Sequence, residues 1–259
     1  MIALGLDAFW IEPDSLALVV HPIALEGSTP LAGLRIAVIS DLHAGARFID
    51  EDKIAKVVAL TNSAHPDLIL LAGDYTGGDG DIAPETIAQR LKPLAAPLGV
   101  YAVLGNHDFW DDAPRIAAAL SAAGIAVLDN RSHVIATPRG AFTLVGIGDT
   151  YSHNADPDKA LAGVGAGALC FTHSPDVFPR LPATCLLTIA GHTHGGQVLL
   201  PLLGRPAVAY ISIYGQRYAI GLIRENGRTL FVSSGIGTSG LAVRFGVPPE
   251  VSLLEITAQ

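Results

Sequence analysis

Cysteine, methionine and tryptophan are scarce in this chain, at two, one and two residues among 259. Two cysteines are too few for a disulfide-built scaffold or a thiolate metal cluster. Cys170 and Cys185 each lie in an apolar run, read as buried free thiols, and leave the redox compartment open. Charge is also thin: 15% of residues carry it against 50% hydrophobic, which excludes a disordered chain. Acidic residues outnumber basic ones 24 to 16, for a formal net charge of −8, so nucleic acid is not an expected partner.

Long apolar runs are missing as well. The stretch from Met1 to Pro13 is interrupted by Asp7 and Glu12, with Asp14 following, far short of a membrane span. It has neither a basic leader nor a signal-peptidase pattern, so the expected location is cytoplasmic or peripheral to the inner membrane. No Pro- or Ser-rich linker, charge block or repeat divides the chain, and one domain over residues 1–259 is expected. Oligomeric state is not legible.

What is present is an alternation. Leu34–Ser40, Asp67–Ala72 and Val100–Leu104 are short, apolar, strand-like runs. Helical stretches follow them: Asp50 to about Ala64, Pro84 to about Leu94, and Pro114 to Ala123, stopped by Gly124. After Ile125 strands dominate: Ser132–Thr137, Phe142–Ile147, Gly167–Phe171, Thr184–Ala190, Val208–Tyr214, Tyr218–Arg224, Thr229–Ser233 and Val251–Ile256. Helix is confined to Asp156–Gly163 and a turn near Pro175–Leu181. The fold class is therefore α/β, with two stacked sheets and helices outside.

Six segments carry nearly all the compact oxygen and nitrogen ligands, each just after a strand-like run. They are Asp41-Leu42-His43, Gly73-Asp74, Gly105-Asn106-His107-Asp108, Thr172-His173-Ser174, and the pair within Gly191-His192-Thr193-His194-Gly195-Gly196. Asp41 and His43, one residue apart, face one side of an extended segment and reach one ion. Asp74 has two oxygens and can bridge two ions. Asn106, His173 and one of His192 or His194 can complete a second ion, the other histidine returning to the first. Mixed imidazole and carboxylate ligation suits Mn, Fe, Co or Zn better than calcium. Two such divalent ions acidify a bridging water and hold phosphoryl oxygens during displacement. His107 adjoins a ligand and is placed to protonate a leaving alkoxide as general acid.

In order and spacing, these motifs from about Arg35 to Gln197 resemble the calcineurin-like metallophosphoesterase superfamily. The resemblance implies a four-layer α/β/β/α sandwich, with two mixed sheets flanked by helices, and a dinuclear centre whose metal-bridging hydroxide attacks phosphate mono- or diesters or a pyrophosphate. It implies Asp41, His43, Asp74 and His194 at the first metal, Asp74, Asn106, His173 and His192 at the second, and His107 as the catalytic histidine. The stretches after Gln197 and the tail Ser234-Gly235-Ile236-Gly237-Thr238 with Val243-Arg244-Phe245-Gly246 look like a bacterial, often membrane-associated branch that includes UDP-2,3-diacylglucosamine hydrolases. A lipid-linked or small-molecule phosphoester and peripheral membrane contact follow from that likeness. A non-catalytic scaffold on the same fold is the alternative, and the complete ligand set argues against it. One departure stands out. Many members read Gly-Asp-x-x-Asp, the second Asp orienting the catalytic histidine, where this chain has Gly77; Asp79, Asp81 and Asp108 are the available substitutes.

Weaker signals are Arg47 and Arg244, each able to fork onto a substrate phosphate, although a surface ion pair suits either. The run Val198–Gly204 reads as a buried connection rather than an apolar lip. Tyr210, Tyr214 and Tyr218 read as sheet residues, and the loop of His153 as a border of the site.

Overall fold

Residues 2–26, 30–77 and 82–258 are described by a computed structural model of the protein. In chain order the strands are β1 (Ala17–Leu25), β2 (Arg35–Ile39), β3 (Leu68–Leu71), β4 (Val100–Ala102), β5 (Ala126–Val127), β6 (Arg131–Thr137), β7 (Gly140–Ile147), β8 (Ala168–Thr172), β9 (Cys185–Ala190), β10 (Gly221–Glu225), β11 (Arg228–Val232) and β12 (Glu250–Ala258). They form two six-stranded mixed sheets, ordered β1-β12-β2-β3-β4-β5 and β10-β11-β9-β8-β7-β6.

The central strands are buried on both faces, and the two-residue period of a strand sorts their side chains between two cores. Ile36, Val38, Leu68 and Leu70 meet Leu144, Leu169, Phe171, Leu187 and Ile189 between the sheets. Ala37, Ile39, Ile69 and Leu71 face outward against the helices Glu51–Ser63, Pro84–Leu91 and Ala113–Ala122. On the far side, Val145, Cys170 and Leu230 pack with Val177, Phe178 and Tyr218 from short 3₁₀ turns. The result is four layers, with a thin outer one over the second sheet. Asp50 caps the first of these helices as expected, accepting from the Lys53 amide at 2.7 Å.

Several sequence expectations need correction. Cys170 and Cys185 are not free: they form a disulfide across neighbouring strands β8 and β9. Val208–Tyr214 is not a strand: a 3₁₀ turn runs over Pro206–Tyr210, opened by Pro206, whose fixed φ suits a first helical position, and Tyr210 is exposed to solvent. Tyr218 closes a second 3₁₀ turn, its ring buried against Phe178 and its hydroxyl donating to Glu225 at 2.9 Å. Strand β1 went unread because Pro22 interrupts it; as an edge strand pairing only with β12, it tolerates the missing donor. Val198–Gly204 is an exposed lip, since Leu202 and Leu203 project fully or largely into solvent. Residues 2–14 are helical, with a π turn at Asp7–Ile11. Among the described residues no helix is long and apolar enough to cross a membrane.

Candidate metal centre

All six ligand segments follow the carboxyl ends of strands, three on each sheet, and the two sheets bring them together over one rim. Asp41 and His43 follow β2, Asp74 follows β3, and Asn106 opens the short helix Asn106–Asp111 after β4. His173 follows β8, while His192 and His194 follow β9. Side chains from different strands converge because the backbone turns sharply under them. Asp41 (φ 55°), His43 (47°), Asp74 (57°), His192 (72°) and His194 (50°) all adopt the left-handed conformation. Such a φ is uncommon for residues with a Cβ, and its concentration in ligand positions marks a functional site. Asp41 and His43 therefore offer ligand atoms to one point through this turn rather than through an extended segment.

Asp41, His43 and His194 offer ligand atoms to one point and Asp74, His173 and His192 to another, while His43, Asp74 and His107 form a third, overlapping group. His43 Nε2 lies 3.1 Å from His194 Nε2, and His194 Nε2 lies 3.5 Å from Asp41 Oδ1. In the second group His173 Nε2 is 3.1 Å from His192 Nδ1 and 3.2 Å from Asn106 Oδ1. Asp74 Oδ2 joins the groups, at 3.5 Å from His43 Nε2 and 3.1 Å from His173 Nε2. Its other oxygen accepts the His107 amide at 2.9 Å, which fixes the carboxylate plane. Gly105 is required beneath it, since a Cβ there would come within 2.2 Å of Asp74 Oδ1.

The protonation pattern fits cations. Backbone carbonyls take the outward nitrogen of three rings: Ala72 O at His173 Nδ1 (2.8 Å), Gly237 O at His194 Nδ1 (3.2 Å) and Ile211 O at His192 Nε2 (3.1 Å). A carbonyl needs the ring proton on that side, which leaves the inward nitrogen as a lone pair. His173 and His192 then turn Nε2 and Nδ1 toward each other at 3.1 Å, a spacing that needs a proton or a cation between the two nitrogens.

Electrostatics agree. Burial pulls His43 down to about 4, and burial with the His43 ring holds His194 well below the ordinary histidine range. Burial raises Asp41 to about 6. Burial opposes ionisation of Asp74 too, yet His173 overrides it and keeps this carboxylate well below its usual range. Burial lowers His192 as well, whereas Asp74 overrides burial at His173 and holds that ring well above the ordinary histidine range, so three neutral imidazoles and one protonated ring surround a buried anion, a donor set that suits a divalent metal.

His107 stands beside the first group, its ring 4.6 Å from that of His43, and burial lowers its affinity for protons. Its Nε2 meets Ser239 Oγ at 3.4 Å. Asp108 is not its partner: that carboxylate accepts the amides of Asp74, Tyr75, Thr76 and Gly105 at 2.8–3.2 Å. Asp79 and Asp81 lie outside the described residues. Arg47 and Arg244 do not reach the cleft. Arg47 stacks on Trp10, 4.7 Å from its ring centre, and Arg244 is fully buried among backbone carbonyls.

Over the centre opens a cleft of about 220 Å³ walled by Trp110, Tyr151, Tyr210, Gln197 and Ser239. The loop of His153, which carries Tyr151, was expected to border the site and does so; Tyr210 was read as a sheet residue, and Trp110 and Ser239 were not singled out, their signals being modest. Trp110 lies three positions from His107 on one helix face, rings 4.7 Å apart. Tyr151 and Ser239 lie in loops after β7 and β11 at the same rim, Tyr151 5.3 Å from the His192 ring in the loop of His153.

Residues 34–212 match the family described as Calcineurin-like phosphoesterase. The chain is 34% identical over 253 residues to Phosphodiesterase YaeI of Escherichia coli, covering 95% of this chain and 90% of that protein. It is 27% identical over 282 residues to the UDP-2,3-diacylglucosamine pyrophosphatase LpxG of Chlamydia trachomatis, covering 86% and 84%. A solved structure, TT1561 of Thermus thermophilus, aligns with a TM-score of 0.49 at 12% identity over 79% of this chain and 91% of that one.

Proposed function

The chain belongs to the calcineurin-like phosphoesterase family and is a phosphate-ester hydrolase; from that premise we propose that it works at a dinuclear metal centre on phosphodiesters or pyrophosphates bearing an apolar group. Asp41, His43, Asp74 and His194 would hold one ion and Asp74, Asn106, His173 and His192 the other, with manganese the first metal to try. The observation that carries this reading is Asp74 Oδ2, within 3.5 Å of one imidazole and 3.1 Å of the other. Two divalent ions, when bound, supply Lewis acidity that activates water and screens phosphoryl charge.

The protein's own groups do the rest. Asp74 and Asp41 would bring the negative charge that holds the cations, and backbone carbonyls keep three imidazole nitrogens pointed inward. His107, beside the centre with its far nitrogen on the Ser239 hydroxyl, is placed to pass a proton to the departing oxygen. Trp110, Tyr151 and Tyr210 give the cleft apolar walls, and Leu202, Leu203 and Leu241 stand exposed nearby in chain segments that border it. That surface suits a lipid-linked substrate and contact with a membrane surface. The buried Cys170–Cys185 disulfide favours an oxidising compartment over a reducing cytosol.

The decisive experiment combines metal analysis of Mn²⁺-reconstituted protein with hydrolysis of p-nitrophenyl phosphate and bis-p-nitrophenyl phosphate. About two ions per chain and faster turnover of the diester are expected. Less than about one ion per chain with no turnover of either ester would sink the enzyme reading.

A further inference from the structure

Arg244 is the largest fully buried side chain among the described residues, and no carboxylate lies within ion-pair distance of it there. A buried cation without an ion pair is costly unless every donor is used. Here four of the five N–H donors meet carbonyls: Nη1 on Val247 (2.9 Å), Nη2 on Ser234 (2.9 Å) and Gly237 (2.6 Å), and Nε on Gly237 (3.2 Å). Gly237 O is also the acceptor for His194 Nδ1 at 3.2 Å, and the Gly237 amide donates to Asp41 O at 2.7 Å. One residue thus contacts both ends of the first ligand group through its two flanking peptides, and Arg244 grips its carbonyl from behind.

The grip is itself anchored. The Arg244 amide donates to Ala8 O at 2.9 Å, and the Glu12 carboxylate accepts the amides of Gly246 and Val247. The helical N-terminal residues therefore hold the loop that holds Arg244. Burial draws this guanidinium down to about 10, opposed by Asp41, Glu12 and Glu250, so it stays charged at neutral pH.

We propose that Arg244 is the positioning residue for His194, fixing through the shared Gly237 carbonyl the tautomer that turns Nε2 toward Asp41 and His43. The proposal rests on His194 being a metal ligand. An ordinary buried brace would need no such shared acceptor, and would reveal itself by affecting stability alone. Second-layer partners of metal-binding histidines typically alter metal affinity tenfold or more when removed.

The test uses the full chain stripped of metal. Mn²⁺ titration calorimetry, imidazole ¹⁵N spectra without metal and thermal unfolding are recorded for wild type, Arg244→Met and Arg244→Lys. Expected for Arg244→Met is about a tenfold or larger weakening of one Mn²⁺ site, the other unchanged, with His194 losing its single Nδ1–H tautomer. Arg244→Lys, which keeps the charge but not the planar fork, should recover part of both effects. Wild-type Mn²⁺ affinities and an intact Nδ1–H signature in Arg244→Met, whatever its melting temperature, overturn the proposal. If that variant does not fold, the same two readouts on Arg244→Lys decide. His194→Ala separates the layers: unchanged Mn²⁺ binding in it removes the ligand reading, and with it the proposal. Weakened binding there with wild-type behaviour in both Arg244 variants removes the positioning inference alone.

Discussion

The imidazole of His107 rests on the backbone of Gly77, so closely that a Cβ at residue 77 would come within 2.2 Å of Nδ1. Gly77 also holds a φ of 92°, which L side chains rarely adopt. The position where many relatives carry an aspartate is here closed to any side chain while His107 keeps its place.

Gly77→Ala should therefore displace His107 and leave the metal ligands alone. We expect kcat toward a diester to fall about 100-fold, within the range for loss of a general acid, with bound metal unchanged. Turnover at the wild-type rate would mean that His107 is not tied to this backbone in the reacting enzyme.

Asp74→Ala removes the oxygen shared by both groups, whereas Asn106→Ala removes a ligand of the second alone. Metal analysis should give a near-complete loss of both ions in the first variant and of one in the second. Retention of a full pair by Asp74→Ala would contradict the bridge.

The disulfide makes a separate prediction for stability. Its cysteines are 15 residues apart, and closing a loop of that size is worth about 3 kcal/mol in the chain-entropy picture. The double variant Cys170→Ala, Cys185→Ala should lose about that much in guanidinium unfolding. Its turnover at 25 °C should persist, because the pair packs on the outer face of the second sheet. Equal unfolding midpoints for the two proteins would argue that the bond does not form in solution.

Asp129 carries a pH signature away from the metals. Burial raises its carboxyl to about 6, against hydrogen bonds from the Leu104 amide and the Asn154 side chain that favour the anion. An unfolded aspartate ionises near 3.9, so between about pH 4 and 6 the folded state keeps a proton the unfolded state has released. Stability attributable to this group must fall as pH rises through that window. Asp129→Asn cannot ionise; the lost Asn154 hydrogen bond shifts its stability by a constant. A shallower slope from pH 4 to 6 than wild type is expected, and identical slopes would refute the assignment.

Much of this site was legible because metal ligands are compact polar groups in segments where an apolar run has just ended. Gly191–Gly196 has too many histidines and glycines for a core or an ordinary turn, and Asp41, Asp74 and Asn106 follow runs that could only be buried strands. The conformations beneath them were not legible: a left-handed φ at Asp41 or His194 is imposed by tertiary packing against the local preference of those residues. Arg244 misled for a related reason. An arginine near a binding motif suggests phosphate, and only the fold reveals that backbone carbonyls consume its donors. The cysteine pair was hidden because partnership depends on adjacent strands sharing a register, which spacing alone does not give. Pro206 and Pro22 show one residue with two outcomes, opening a 3₁₀ turn just ahead of a would-be strand in one place and sitting in a tolerant edge strand in the other.

Strand β2, which delivers Asp41 and His43, lies between β3 and β12, and β12 follows every ligand segment in the chain. A ribosome therefore releases all seven proposed ligand residues before β2 acquires its second neighbour. Until Glu250–Ala258 emerges, the ladder edge beside the first ion pocket stays open, a template for wrong pairing in a crowded nascent state. Metal loading should accordingly be a post-translational event. Nascent chains stalled before β12 should retain no Mn²⁺ in the pocket of Asp41, and a stalled chain that holds both ions would show that this edge does not gate assembly.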